Sequence, residues 1–327
     1  MQAMDDKPES NSTRIGLGLA AIGRPEYINL RQQIDKDKSF AIYRQRALDL
    51  LDYAYSIGVR DFDTAASYGK GEQFLQEWYD RNHYTDLRLS SKWGYTYVAN
   101  WEIGFNGSHE VKEHSLSKLR EQWATAKKLL PALKIYQIHS ATFESGVLEN
   151  RRVLSELSEI KKASGIHIGV SVSGEKQKEL VEKAAKVRVE GQDLFDSFQV
   201  TYNILDTSAH RVLRNMLDQN KIVIIKEALA NGRVFRNNSY THYKPVYDLL
   251  ERLSSTYRVG VDAIALRFVI EQLQPTVVLS GASSKGQLES NLKAQSICLS
   301  QKDLDSLAEL GADPKDYWSE RKQLPWN

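Results

Sequence analysis

Four ionisable residues, Asp63, Tyr68, Lys92 and His139, are spread over about 80 positions, each just past a short apolar run. Asp63 follows Val59-Arg60-Asp61-Phe62, Lys92 follows Leu87 to Ser91, and His139 follows Leu133 to Ile138. A phenol flanked by an ammonium, a carboxylate and an imidazole can donate or accept a proton near neutral pH. That combination suits redox chemistry between a carbonyl and an alcohol. A nearby lysine ammonium is expected to stabilise phenolate and bring proton transfer closer to neutral pH.

Residues this far apart converge only if the chain brings strand ends to one face, as an eight-stranded α/β barrel does. Short β-rich runs alternate with amphipathic stretches, the signal for repeated βα units. The expected strands are Arg14 to Leu19, Val59 to Phe62, Leu87 to Ser91, Ile135 to Ile138, His167 to Ser171, Ser197 to Thr201, Ile222 to Ile225 and Thr276 to Leu279. Helical patterns between them include Ala41 to Ser56, Gln73 to Asn82, Val111 to Leu130, Leu148 to Lys162, Lys176 to Val187, Ala209 to Asp218 and Val261 to Gln272. The fold expected is a single (β/α)8 TIM barrel over residues 14–327, after a polar tail at 1–13. Its active site would lie at the C-terminal ends of the strands. Long irregular stretches, Tyr95 to His109 and Gly232 to Tyr243, follow strands three and seven, where loops form the ligand mouth. From Gln301 onward one more helix and a tail are expected.

Composition bounds the function. With 26% charged and 41% hydrophobic residues and a net charge of +2, lysines and arginines are interleaved with acids, so no nucleic-acid partner is expected. The single cysteine, Cys298, excludes an internal disulfide and reads as a buried small hydrophobe. No run approaches the roughly 20 apolar residues of a membrane span, and Met1 to Thr13 lacks the apolar core of a signal peptide, which makes the cytoplasm the expected compartment. Oligomeric state is not legible from these residues.

The stretch Asp61-Phe62-Asp63-Thr64-Ala65-Ala66-Ser67-Tyr68-Gly69 resembles the FDTAxxYG signature of the aldo-keto reductases. Ser91-Lys92-Trp93-Gly94 and Tyr136-Gln137-Ile138-His139-Ser140 resemble that family's strand-three lysine and strand-four histidine. Ile168 to Ser171, Phe198 to Val200 and Gly281 to Ser284 with Gln287 and Asn291 are similar to its cofactor-binding segments, in the same order. The resemblance runs from about Ser12 to the C-terminus. Within the family, the GASS segment, Tyr317-Trp318 and Leu324 to Asn327 look closest to bacterial members and to the potassium-channel beta subunits.

The resemblance implies that Tyr68 is the general acid, Lys92 tunes it, Asp63 holds Lys92, and His139 polarises the carbonyl of a small-molecule substrate. It implies NADPH (NADP+) as cofactor, with NADH possible. Ser171 and Gln199 would meet the nicotinamide carboxamide, with Lys226 at the position where the family often has an aromatic under the ring. Leu229 and Gly232 would line the pyrophosphate loop, and Ser283, Gln287 and Asn291 would hold the adenosine end. Lys285, Arg233 and Arg236 are candidates for a 2′-phosphate. A helix beginning near Ser284 offers amides to phosphate whatever the family, although Ser283 could simply cap it. Val172 stands where the family usually has Asn or Arg and cannot hydrogen-bond through its side chain. Tyr27, Trp93, Tyr95, Trp101, Phe105 and Trp326 are candidate pocket walls.

Two other functions are weighed against a reductase. A cofactor-binding regulatory subunit like the channel beta subunits is disfavoured by the complete set of four, because those subunits tend to depart at the histidine. A metal-dependent hydrolase using Asp63 and His139 lacks paired histidines or HxH spacing.

Overall fold

The computed structural model describes residues 14–27, 30 and 39–325. The expected tail at 1–13 and Trp326 lie outside the described residues. Eight parallel strands close in sequence order: β1 Arg14–Gly18, β2 Asp61–Asp63, β3 Arg88–Trp93, β4 Leu133–Ala141, β5 His167–Val172, β6 Ser197–Thr201, β7 Ile222–Lys226 and β8 Val277–Ser280. All eight expected strands are present, with ends shifted by a few residues. Side chains alternate, so one set fills the barrel and the other meets the helices. Phe62, Leu89, Tyr136, Ile138, Ile168, Val170, Val172, Phe198 and Val200 are buried. These face the helices, and the inward set, which includes Asp63, Ser90, Lys92, Gln137, Ser171 and Gln199, is buried as well.

The helical layer is α1 Phe40–Ser56, α2 Gly71–Asn82, α3 Leu116–Ala126, α4 Arg151–Ser164, α5 Gln177–Ala184, α6 His210–Asp218, α7 Lys244–Tyr257, α8 Val261–Leu273 and α9 Lys285–Leu292. α10 Gln301–Ala308 and α11 Pro314–Lys322 follow. The starts are set locally: the side chains of Ser115 and Asn150 accept from the Lys118 and Val153 amides of α3 and α4.

Several expectations need correction. The helix expected over Val111 to Leu130 starts only after the Ser115 cap, because Glu110–Lys112 pairs antiparallel with Tyr95–Tyr97. The supposed irregular stretch after β3 is therefore a hairpin standing over the barrel mouth. α7 was absent from the expected helices, and the C-terminal segment holds two helices, the second opened by Asp313 and Pro314. Cys298 is exposed. It lies between Ile297 and the buried Leu299 in an extended segment, whose alternation turns it outward towards Arg267. Among the described residues, no helix is long and apolar enough to cross a membrane.

Candidate active site

The ends of β2, β3 and β4 bring three of the four sequence-selected residues together. Asp63 pairs in register with Ser90, and Lys92 follows two residues later on the same inward face. Lys92 Nζ donates to Asp63 Oδ1 at 2.5 Å and to the Thr64 carbonyl at 2.8 Å. Asp63 Oδ2 accepts from Ser90 Oγ at 2.6 Å and from Gln199 Nε2 at 2.9 Å. Asp63 is 2% exposed and Lys92 1%, so this is a fully desolvated ion pair whose remaining bonds stay satisfied.

Tyr68 joins them from the loop after β2. The loop is folded by bonds from the Tyr68 amide to the Ala65 carbonyl and from the Gly71 amide to the Tyr68 carbonyl. It interlocks with the loop after β1 through two glycines. A Cβ on Gly23 would lie 2.2 Å from the Tyr68 oxygen, and one on Gly69, at φ +59°, would lie 2.5 Å from the Gly23 oxygen. Lys92 Nζ sits 4.7 Å from the centre of the Tyr68 ring. Burial and the Asp63 carboxylate push the Tyr68 phenol well above its ordinary range. This differs from the expectation that Lys92 eases phenolate formation. The lysine charge is spent on Asp63, and the desolvated phenol keeps its proton.

His139 completes the group, its ring 5.6 Å from that of Tyr68 and nearly perpendicular at 85°. Burial, then the charges of Lys92, Lys226 and Arg24, hold the imidazole well below its usual pKa, so it is neutral. Its Nδ1 is 3.3 Å from Ser67 Oγ. An Nδ1 that accepts from Ser67 leaves the proton on Nε2, the tautomer able to donate to a substrate oxygen.

Sequence reasoning missed Ser67 and Arg24. Ser67 stands inside the motif and had a signal there. Arg24 had none: it is a buried loop arginine 5.4 Å from the Tyr68 ring centre, bonded to Glu110 Oε1 at 2.8 Å and to the Ser67 carbonyl at 3.3 Å. Of the candidate walls, Tyr95 packs 4.8 Å from His139, and Arg24 stacks on Tyr27 at 4.9 Å. Trp93 is fully buried in the core, Trp101 packs against Phe40, Tyr43 and Phe74, and Phe105 against His109.

The residues selected for a cofactor divide into two groups. Ser171 and Gln199 are buried at the mouth, where Ser171 Oγ accepts from the Ser140 amide at 3.4 Å. Gln199 Oε1 is buried with no hydrogen-bond partner, next to the Nε2 that donates to Asp63. Lys226 reaches from β7 across the end of β6 to donate to Ser173 Oγ beyond β5. Burial lowers its pKa to about 8. It makes no salt bridge with Glu227, which turns to Arg321 at 2.7 Å. Despite burial, Arg321 and Lys226 hold the Glu227 carboxyl down at about 2. Leu229 and Gly232 lie in a tight loop where Glu227, Ala230, Asn231 and Gly232 all have positive φ.

At the other end, Ser283 binds Gln287 Oε1 through its amide at 2.9 Å, and the cap of α9 is Ser284. Asn291 is 4% exposed and braces the core, accepting from Ser280 Oγ and donating to Asp262, both at 2.6 Å. Arg233 is buried beneath α11, bonded to the Tyr317 carbonyl at 3.1 Å and stacked on its ring at 4.1 Å. Arg236 is paired with Glu251 and Asp248. Val172 points into the helical layer, fully buried.

The chain is 24% identical over 328 residues to the NADH-specific methylglyoxal reductase of Escherichia coli (strain K12), covering 91% of this chain and 94% of that protein. It is 24% identical over 286 residues to the uncharacterized oxidoreductase YqkF of Bacillus subtilis (strain 168), covering 78% and 84%. Among solved structures, the holo form of aldo-keto reductase AKR11C1 from Bacillus halodurans superposes with a TM-score of 0.67 at 17% identity, over 93% of each chain. The thermostable aldo-keto reductase Tm1743 gives 0.65 at 22% identity, over 95% of this chain and 98% of that one. At such identities these two likenesses show the fold alone. A model of the Aldo/keto reductase family matches residues 14–312, which spans every strand of the barrel and all four sequence-selected residues, and the chain belongs to that family.

Proposed function

We propose that this protein is an NAD(P)H-dependent oxidoreductase that reduces an aldehyde, ketone or sugar carbonyl to an alcohol, or runs the reverse reaction, with Tyr68 as general acid. The observation that carries the reading is the buried Asp63–Lys92 pair set beneath a phenol that burial keeps protonated, beside a neutral imidazole. A bound reduced nicotinamide dinucleotide would supply hydride. The unpartnered Gln199 Oε1 and the Ser171 hydroxyl fit its carboxamide, and the loop from Leu229 to Gly232 fits its pyrophosphate. In this reading His139 Nε2 orients and polarises the carbonyl oxygen, and Tyr68 delivers a proton to it. Lys92 and Asp63 fix the charge below the ring, and both are buried away from solvent.

Of three cations offered to a 2′-phosphate, Arg233 and Arg236 are committed elsewhere, leaving Lys285. We therefore propose that NADPH is preferred over NADH by only a modest factor. The E. coli relative, named NADH-specific, agrees with a weak 2′-phosphate site. The cytoplasm is the proposed compartment. The test is loss of absorbance near 340 nm on adding methylglyoxal, larger aldehydes, ketones and sugars with each reduced cofactor. Cofactor binding without turnover across the panel would favour the regulatory-subunit alternative.

A further inference from the structure

We propose that His114, which no sequence motif selects, is a positioning residue that sets the direction of His139; the proposal rests on the role of His139 given above. β4 does not run regularly to its end. Its register against β5 shifts between Ile138 and Ala141, and Ser140 adopts φ +46°, a left-handed conformation costly for a residue with a side chain. Such a bulge re-aims the neighbouring side chain, here His139. It also frees carbonyls from the ladder, and both are taken by the strand arm Glu110–Lys112 and its continuation. His114 Nε2 donates to the His139 carbonyl at 2.9 Å, and Lys112 Nζ donates to the Ser140 carbonyl at 3.1 Å.

The arm is itself fixed. The Glu113 amide donates to the Gly94 carbonyl, and Gln122 accepts from the Gly94 amide and donates to the Tyr95 carbonyl, all at 2.8 Å. His114 lies flat against this backbone. A Cβ on Gly94, at φ +107°, would fall 2.2 Å from His114 Cδ2, so only glycine leaves room for the ring. His114 Nδ1 is buried with no partner. Nε2 must carry hydrogen to donate to a carbonyl, and burial lowers the ring's pKa to about 4, so the ring is the neutral tautomer protonated at Nε2. Among the described residues the His139 ring makes one hydrogen bond, the long contact to Ser67 at 3.3 Å, and otherwise packs against the Tyr68 and Tyr95 rings, so its direction leans on the backbone that His114 holds.

The test compares His114→Phe, which keeps a ring but removes the donor, with His114→Gln, whose amide can reach the same carbonyl. We expect His114→Phe to lower kcat for carbonyl reduction about tenfold, with KM and cofactor Kd within twofold, since small misplacements of reacting groups are costly. His114→Gln should recover to within threefold of the parent. Independently of turnover, nitrogen-15 histidine spectra of the full chain should show the His139 ring signals displaced in His114→Phe and restored in His114→Gln. Unmoved His139 signals in His114→Phe would overturn the proposal. So would equal damage in both variants with a matching fall in melting temperature, which would make His114 a packing residue. A parent with no carbonyl reductase activity would instead refute the proposed function, and the spectra would still decide the positioning.

Discussion

Asp63→Asn separates the two jobs of the carboxylate beneath Tyr68. The change is nearly isosteric, keeps one oxygen for Lys92 while turning an amide NH2 towards Ser90 and Gln199, and removes one charge from a site almost without solvent. Stranding the Lys92 ammonium there costs roughly 3 to 5 kcal/mol. With an unfolding entropy of about 2.1 cal/mol/K for each of the 327 residues, that lowers the melting temperature by roughly 4 to 7 °C. The second consequence is chemical. The Asp63 charge is, after burial, the main influence raising the Tyr68 phenol, so its loss lowers that pKa. A general acid acts only while protonated, so the alkaline loss of turnover must move to lower pH in the variant. Calorimetry gives the first quantity, and kcat against pH from 6 to 11 gives the second. Adding Lys92→Met to Asp63→Asn should restore at least half of the lost stability, because no buried charge then lacks a partner. A melting point within about 1 °C of the parent, with an unmoved alkaline limb, would refute the electrostatic account of this pair.

Tyr68→Phe should lower kcat at least about a hundredfold, the usual reach of general acid catalysis, and leave cofactor Kd unchanged; turnover within threefold would remove Tyr68 from the mechanism. His139→Ala should impair carbonyl reduction without weakening NADPH binding in a fluorescence titration, whereas normal kinetics with a collapsed melting temperature would make it structural. Lys226→Met should lower the ratio of oxidised to reduced cofactor dissociation constants several-fold at low salt. A charge roughly 6 Å from the cationic oxidised ring opposes it by on the order of 2 to 3 kcal/mol at an effective dielectric constant of about 20, and the reduced ring is neutral. Acid should destabilise the fold. His114 has its pKa lowered from 6.5 to about 4 by burial, so its contribution is complete above pH 6.5 and is lost as pH falls towards 4. Urea unfolding should show about 2 kcal/mol less stability at pH 5 than at pH 7 from this group, with His139 adding in the same direction.

The strands were legible because their helix-facing positions carry branched and aromatic apolar residues, and chemistry sits at their ends because a barrel opens there. The hairpin over the mouth was not legible. Val111 and Leu116 continue a helical spacing with α3, and only the long-range pairing with Tyr95–Tyr97 decides that Glu110–Lys112 is extended. Asp63, Lys92 and His139 could be placed together from strand ends alone, whereas the high phenol pKa of Tyr68 could not be foreseen. It depends on how fully Lys92 is neutralised, a matter of 2.5 Å geometry. Arg24 and His114 escaped for a related reason: each works through a backbone carbonyl, and backbone carbonyls leave no mark in a sequence. Arg233 misled because a glycine-loop arginine resembles a phosphate ligand, yet its guanidinium is spent on Tyr317 and Glu320.

The hold of α11 on the loops after β6 and β7 also fixes when the site can be finished. Glu227 is answered by Arg321, Arg233 by the Tyr317 carbonyl, Asn203 by the Tyr317 hydroxyl and Asp206 by the Trp318 indole. All of those partners are synthesised after the last strand of the barrel. A nascent chain that has released β8 can close its sheet, but its loop beside the proposed cofactor mouth still holds a carboxylate and a guanidinium awaiting their counterparts. Competence to bind a dinucleotide should therefore arrive later in biosynthesis than the barrel itself, once α11 has emerged and docked rather than at sheet closure.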